Sequence, residues 1–402
     1  MKFLYGSMLL LIVCLRPVLA LDSPTAFIEI IQSDDDLQVL LQWTEVEDAD
    51  YYGIYSHGPD PYGPALPYMF VDEDQLSLDV TLQGGHFFHV VAAEASIPPD
   101  GFLLVHAGTF TMGQLGAFMP EHPVTLTHSF FLARHEVTNQ EYLAAVQWAY
   151  DHSLVTVEED WVHAHGQDLL FLGDEASCEL LFDAETGLFY LEAATGVYGN
   201  WGPGAAYPDG YDPAPHPVKQ VSWFGAACYC DWLSLQQELP PFYNGDWSVS
   251  PEHDPCQAEG YTLPTEAEWE HAARYQDGRR YPWGDIAPDC DHANFWNFQY
   301  CVGWTTPVGS FPAGESYLGF QDMAGNLWEW CNDWWDNNYY EQSPPVDPPG
   351  PSEGEERVLR GGFWFFSGEL LQSANRNQVD PEHASYFVGF RPRLLAGESG
   401  ED

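Results

Sequence analysis

Between residues 22 and 96 the apolar positions recur with a period of two. Leu37, Val39, Leu41 and Trp43 form one such run, and Phe87, His89, Val91 and Ala93 form another. Tyr52, Ile54 and Tyr55 repeat less regularly. Turn-forming clusters separate these runs: Asp48-Ala49-Asp50, Gly58-Pro59-Asp60-Pro61 and Gly84-Gly85. Short alternating runs at this spacing predict the strands of a β-sandwich. Pro98-Pro99-Asp100-Gly101 then marks a domain boundary. Beyond it the pattern becomes mixed. Strand-like runs lead to a helix predicted over Gln140 to Ala149, with Asn139 as its N-cap. A second helix is expected over Trp223 to Leu235, with Ala226, Ala227, Cys230, Trp232 and Leu233 mostly on one side. A third begins at Thr265, where Glu268 three residues on completes a capping box. That box assigns Glu266, Glu268 and Glu270 to structure ahead of acid–base chemistry. Residues 165–215 are polar, glycine-rich and aperiodic in places, and read as an insertion or a long loop.

The charge balance changes the picture of what the chain can bind. It carries 12 lysines and arginines against 61 aspartates and glutamates among 402 residues. A surface this acidic repels phosphate backbones and anionic lipid headgroups, which argues against nucleic-acid and peripheral membrane partners. The N-terminus reads as an export signal over residues 1–20: Lys2, an apolar stretch from Met8 to Leu15, then Val18-Leu19-Ala20 with cleavage after Ala20. No second long apolar run follows, so the exported chain is expected to be secreted or to lie in the cell envelope, with no transmembrane segment. Export permits disulfides. Without Cys14 seven cysteines remain, an odd number. Cys228 and Cys230, two apart on a predicted helix, point in different directions. Cys290 and Cys301 flank a short loop and form the best pair.

Three segments resemble a known family. They are Leu263-Pro264-Thr265-Glu266-Ala267-Glu268-Trp269-Glu270, the run Gly319-Phe320-Gln321-Asp322-Met323-Ala324-Gly325-Asn326-Leu327-Trp328-Glu329-Trp330, and Arg360-Gly361-Gly362-Phe363-Trp364-Phe365-Phe366. Together they resemble the formylglycine-generating enzyme (sulfatase-modifying factor) family over residues 98–395. The closing pattern Asn375, Arg376, Pro381 and Gly389-Phe390-Arg391 agrees. The resemblance implies an α+β, C-type-lectin-like fold with few helices and many loops. It also implies a Ca²⁺ site made by the Asp322 side chain, the carbonyls of Gly325 and Leu327, and the Glu329 side chain, an oxygen-only set that suits this hard cation. A second implied site would use the Asn294 side chain and the Phe295 carbonyl. Its remaining ligands would fall near Tyr300 to Val302, where no aspartate stands.

In the catalytic members of the family two cysteines after the Arg-Gly-Gly hold copper. Here those positions fall on Phe366 and Leu371, and the 71 residues after Cys331 contain no cysteine. Soft thiolates select Cu(I), and phenyl and isobutyl groups cannot replace them. Copper is therefore not expected. The resemblance then implies a non-oxidase relative, a binding or accessory module for an unidentified peptide, protein or glycan. The competing expectation is an oxidase, either converting a target cysteine to formylglycine without these thiols or running another reaction on the same scaffold. The iron-dependent sulfoxide synthases of the same scaffold add a helical domain with extra histidines that has no matching segment here.

Other features matter less. Arg360, Arg376 and Arg391 are expected to have carboxylate partners. His163-Ala164-His165 would present two rings on one face if it lay on a strand. The 22–96 segment resembles a fibronectin type III-like module, and residues 396–402 form an acidic tail.

Overall fold

The computed structural model describes residues 99–114, 119–173, 178–192, 211–297 and 300–396, together with the backbone of six strands between residues 26 and 93. Those six are β1 (Ala26–Gln32), β2 (Leu37–Trp43), β3 (Tyr51–His57), β4 (Ala65–Asp72), β5 (Ser77–Thr81) and β6 (Phe87–Ala93). They form two three-stranded antiparallel sheets, ordered β1-β2-β5 and β4-β3-β6. The period-two runs at 37–43 and 87–93 are thus strands. The side chains that would pack a sandwich lie outside the described residues, as do the signal segment and the acidic tail.

Gly101–Leu395 forms a separate compact unit. Its first strands are β7 (Phe102–Val105), β8 (Gly108–Gln114), β9 (Met119–Leu126) and β10 (Phe130–Ala133), followed by helix α1 (Asn139–Asp151). Short strands follow: β11 (Thr156–Glu158), β12 (Trp161–Ala164), β13 (Gln167–Phe171), β14 (Leu180–Asp183) and β15 (Leu188–Leu191). The rest comprises α2 (Trp223–Gln236), α3 (Glu266–Arg274), β16 (Trp328–Trp334), the one-turn α4 (Tyr339–Gln342), β17 (Arg357–Arg360), β18 (Arg376–Val379), β19 (Val388–Gly389) and β20 (Arg393–Leu395). One sheet runs β18-β17-β16-β19 and sets Glu329 directly opposite Arg360. Another runs β20-β10-β7, so the C-terminal strand pairs with one of the first.

The helix ends show why local chemistry decides boundaries. α1 is capped by Thr138, not by Asn139 as the sequence suggests. The Glu141 amide donates to the Thr138 hydroxyl at 3.2 Å, and the Thr138 amide donates to the Glu141 carboxylate at 2.7 Å. Asn139 is drawn elsewhere: its amide group donates to Glu179 and to the Pro213 carbonyl, each at 2.9 Å. α3 carries the expected box, with Thr265 and Glu268 satisfying each other's backbone groups. α2, expected to be amphipathic, is enclosed on nearly every side from Trp223 to Trp232. It runs through the main core beside Tyr142, Trp328, Trp330 and Phe390, which is where an all-round apolar helix belongs. The supposed loop at 165–215 contains β13 and the β14–β15 hairpin, and residues 193–210 lie outside the described residues.

Candidate functional site

The chain spends its scarce cations inside. Lys219, Arg274, Arg357, Arg360, Arg391 and Arg393 are all buried, half of the 12 basic residues in the sequence. Three of these arginines answer carboxylates on α3, whose first two turns carry Glu266, Glu268 and Glu270. Arg360 bonds Glu270 and lies 3.5 Å from Glu266. Arg274 reaches Glu270 at 2.9 Å, the half-buried Arg376 reaches Glu266 at 2.7 Å, and Arg393 reaches Glu268 at 2.9 Å. Burial pulls the Glu268 proton affinity up, but Arg393 and then His128 outweigh it and hold the carboxyl down to about 2. Losing one member of such a buried pair is far worse than losing both, because the other charge is stranded. The three glutamates are therefore ties between α3, β17, β18 and β20.

Arg391 opens the second group. It donates to both Glu329 oxygens at 2.6 Å and to the backbone carbonyls of Ala133, Arg134 and Gln321. Trp269 donates its indole N–H to the same carboxylate at 2.8 Å. Next to this pair sit two further buried carboxylates, Asp322 and Glu136. Glu136 accepts from the Asn326 side chain at 2.8 Å and from the Leu327 amide at 3.0 Å. Its proton affinity is raised well above the usual carboxylate range by burial, then by Asp322, then by Glu329. Asp322 is raised as well, by burial first, with Glu329 adding to it. Three buried carboxylates thus face one guanidinium. Asp322, Gly325 and Asn326 all have positive φ, which folds the 322–327 segment tightly back on itself. Gly325 is required there: a Cβ would lie 2.4 Å from the Asn294 carbonyl oxygen. The donor set is oxygen-only, the ligand type Ca²⁺ takes, with both Glu329 oxygens held by Arg391 and one Asp322 oxygen accepting from the Gly309 amide at 2.6 Å. Glu136 was not among the candidates read from the sequence. The signal for it was a glutamate two residues before Thr138, the cap of α1.

The second implied cation position is split. The Asn294 amide donates to the Trp304 carbonyl at 2.5 Å, while its side-chain oxygen is buried without a hydrogen-bond partner. An orphaned acceptor is what a missing cation would satisfy. The Phe295 carbonyl, by contrast, already accepts from the Cys301 amide at 3.0 Å. Cys290 and Cys301 form a disulfide whose Cα atoms lie 5.3 Å apart, closing this loop.

Phe366 and Leu371 follow directly after this network. Leu371 is fully enclosed by Tyr281, Ala293, Phe295 and Ala324. It presses on Gly362, where a Cβ would come within 2.8 Å of its δ-methyl group. Phe366 is half-buried. Its ring lies 4.6 Å from Phe363 and 6.4 Å from Trp328, and its carbonyl accepts from the Trp296 amide. Phe365, Tyr300 and Trp364 continue the aromatic layer, and Trp296 is exposed at its margin.

The sulfatase-modifying factor enzyme 1-like domain matches residues 87–393. The chain belongs to the sulfatase-modifying factor family. Among its relatives, the formylglycine-generating enzyme of Thermomonospora curvata is 31% identical over 319 residues, covering 72% of this chain and 92% of that protein. The serine/threonine-protein kinase Pkn1 of Chlamydia trachomatis serovar L2 is 33% identical over 276 residues, 68% of this chain. This chain spans only about a third of that kinase's length (34%). Of the solved structures, PvdO from Pseudomonas aeruginosa aligns with a TM-score of 0.51 and 22% identity, over 75% of this chain and 98% of that one. Treponema denticola variable protein 1 aligns with a TM-score of 0.50 and 23% identity, over 73% and 94%. These likenesses show the fold, a C-type-lectin-like α+β arrangement.

Against this family background the remaining candidates resolve. The free cysteines among the described residues, Cys178, Cys228, Cys230, Cys256 and Cys331, are all buried. Burial pushes the thiols of Cys228, Cys230, Cys256 and Cys331 up, so none is primed as a thiolate. His163 sits on β12 and pairs with Asp168 at 2.7 Å. His165 lies past the strand end with positive φ, against Trp247, so the two rings do not share a face. No helix among the described residues is long and apolar enough to cross a membrane.

Proposed function

We propose that this family member is not an oxidase and acts as an exported ligand-binding or accessory protein. The observation that carries the reading is the enclosure of Leu371. Where the resemblance places a copper thiolate stands a fully buried isobutyl group in an apolar cluster with Tyr281, Ala293, Phe295 and Ala324, and the other position holds the half-buried Phe366. Cu(I) needs soft donors, and neither a phenyl nor an isobutyl group supplies one. In place of a redox centre the segment offers a partly exposed aromatic layer, with Tyr300, Phe365, Phe366 and Phe387 around the buried Phe363 and Trp364. Aromatic faces of this kind stack on apolar faces of sugars or on peptide side chains. The acidic surface supports a neutral or basic partner over a nucleic acid.

Ca²⁺ belongs to this proposal as a brace. Glu136, Asp322 and Glu329, with the carbonyls of Gly325 and Leu327, would hold it and so fix the 322–329 segment beneath the aromatic layer. When bound, the ion supplies positive charge among carboxylates that Arg391 alone does not balance. The enzyme question is tested by oxygen uptake with copper and a cysteine-containing peptide. No consumption above the peptide-plus-copper control is expected. Catalytic uptake with formation of an aldehyde on the peptide would overturn the reading.

A further inference from the structure

A different corner of the domain holds a cluster that neither the family relationship nor the proposed function uses. His128, just before β10, meets Cys256, in the single turn Pro255–Gln257, and Glu268, on α3. Their candidate donor atoms all lie within 4.8 Å of one another, and all three residues are buried. Asp347 stands beside them: its Oδ1 is 3.3 Å from His128 Nδ1, and its carbonyl is 4.0 Å from the Cys256 sulfur. His128 Nε2 is held by Glu268 at 2.9 Å. Its Nδ1, by contrast, is buried with no hydrogen bond.

We propose that His128 through Nε2, Cys256 and Glu268 form a binding site for a borderline-soft divalent ion, best met by Zn²⁺, with Asp347 orienting the imidazole from its other nitrogen. One imidazole, one thiol and one carboxylate at this spacing are donors that zinc takes, and a carboxylate on the second ring nitrogen is the usual partner that fixes the tautomer of a ligating histidine. The spread of up to 4.8 Å is slightly wider than the spacing around a bound ion, so small side-chain movements close it. Charge supports the assignment. Arg393, bonded to Glu268, offsets one carboxylate. The Cys256 thiolate and Asp347 then oppose the two charges of the ion. Binding releases the thiol proton to solvent. The ion would tie the 255–257 turn to α3 and β10.

The test uses the full chain in excess Ca²⁺, so that carboxylate sites are already filled, and titrates it with Zn²⁺ and, separately, Co²⁺. One equivalent is expected to bind, with a thiolate-to-cobalt charge-transfer band in the near ultraviolet. Cys256→Ser should abolish the band and weaken zinc binding at least about tenfold. Asp347→Asn, at the partly open rim, should weaken it about tenfold while leaving the band present. The near-ultraviolet circular dichroism of each metal-free variant checks that it folds, and if Cys256→Ser does not, Asp347→Asn carries the test alone. Failure to bind a stoichiometric ion overturns the proposal, as does a charge-transfer band that survives Cys256→Ser or affinity unchanged by Asp347→Asn. A cluster held by hydrogen bonds alone would give the first of these results.

Discussion

Arg360 and Leu371 lie eleven positions apart, on either side of a pair of glycines, and their surroundings are opposites. Arg360 ends β17 among Glu266, Glu270 and the carbonyls of Ser373, Ala374 and Asn375. Leu371 ends a short turn among aromatic rings and methyl groups. The ionic side lies in the segments that resemble the family and ties α3 to β17. The apolar side is where the catalytic relatives are expected to do chemistry, and it is filled.

The comparison breaks most severely on the ionic side. Arg391→Met should destabilise the domain by about 3–5 kcal/mol, since it strands Glu329 beside Asp322 and Glu136. Chemical denaturation measures this, and added Ca²⁺ should recover part of the loss if the carboxylates share a cation. On the apolar side, Leu371→Ala should cost about 2–4 kcal/mol through the lost burial and the cavity left behind. Phe366→Ala, half-exposed, should cost less. Equal and small losses at both positions would mean that the plug is not packed. Opening the Cys290–Cys301 disulfide with the double serine variant should cost roughly 2–3 kcal/mol, as expected for so short a loop.

A pH slope sharpens the comparison further. Burial, then Glu266, pushes the Asp333 carboxyl up to about 8. A carboxyl whose folded affinity lies above its unfolded one stabilises below the unfolded value, and this contribution is lost as pH rises through about 8. Asp333→Asn keeps the acceptor that takes the Glu266 amide at 2.7 Å but cannot ionise. Wild type and variant should match at or below about pH 4, the unfolded carboxyl value. Wild type should then fall behind by at most about 1.4 kcal/mol per pH unit on going to pH 8. Parallel profiles would place the Asp333 charge elsewhere.

How much of this was legible in the sequence depended on whether a partner was local. The Thr265–Glu268 box is three residues long and could be read directly. The expectation that Arg360, Arg376 and Arg391 meet carboxylates followed from the scarcity of cations. Which carboxylate each meets did not follow, because Arg391 and Glu329 are joined only when β16 and the C-terminal segment pack. Asn139 looked like a cap because the sequence does not show that Glu179 and Pro213 claim its amide. Glu136 was overlooked for the same reason: its neighbours Asp322 and Asn326 come from nearly two hundred residues away. The aperiodic 165–215 stretch hid a hairpin because its strands are four residues long, too short for alternation to stand out.

The central claim is the absence of a thiol grip on a soft metal in the Phe366–Leu371 segment. Competition for Cu(I) against a chromogenic chelator under anaerobic conditions, with the zinc cluster saturated beforehand, tests it most directly. The chain should leave the chelator's copper untouched at equimolar concentration. Withdrawal of one equivalent of Cu(I) by the wild-type chain would contradict the account.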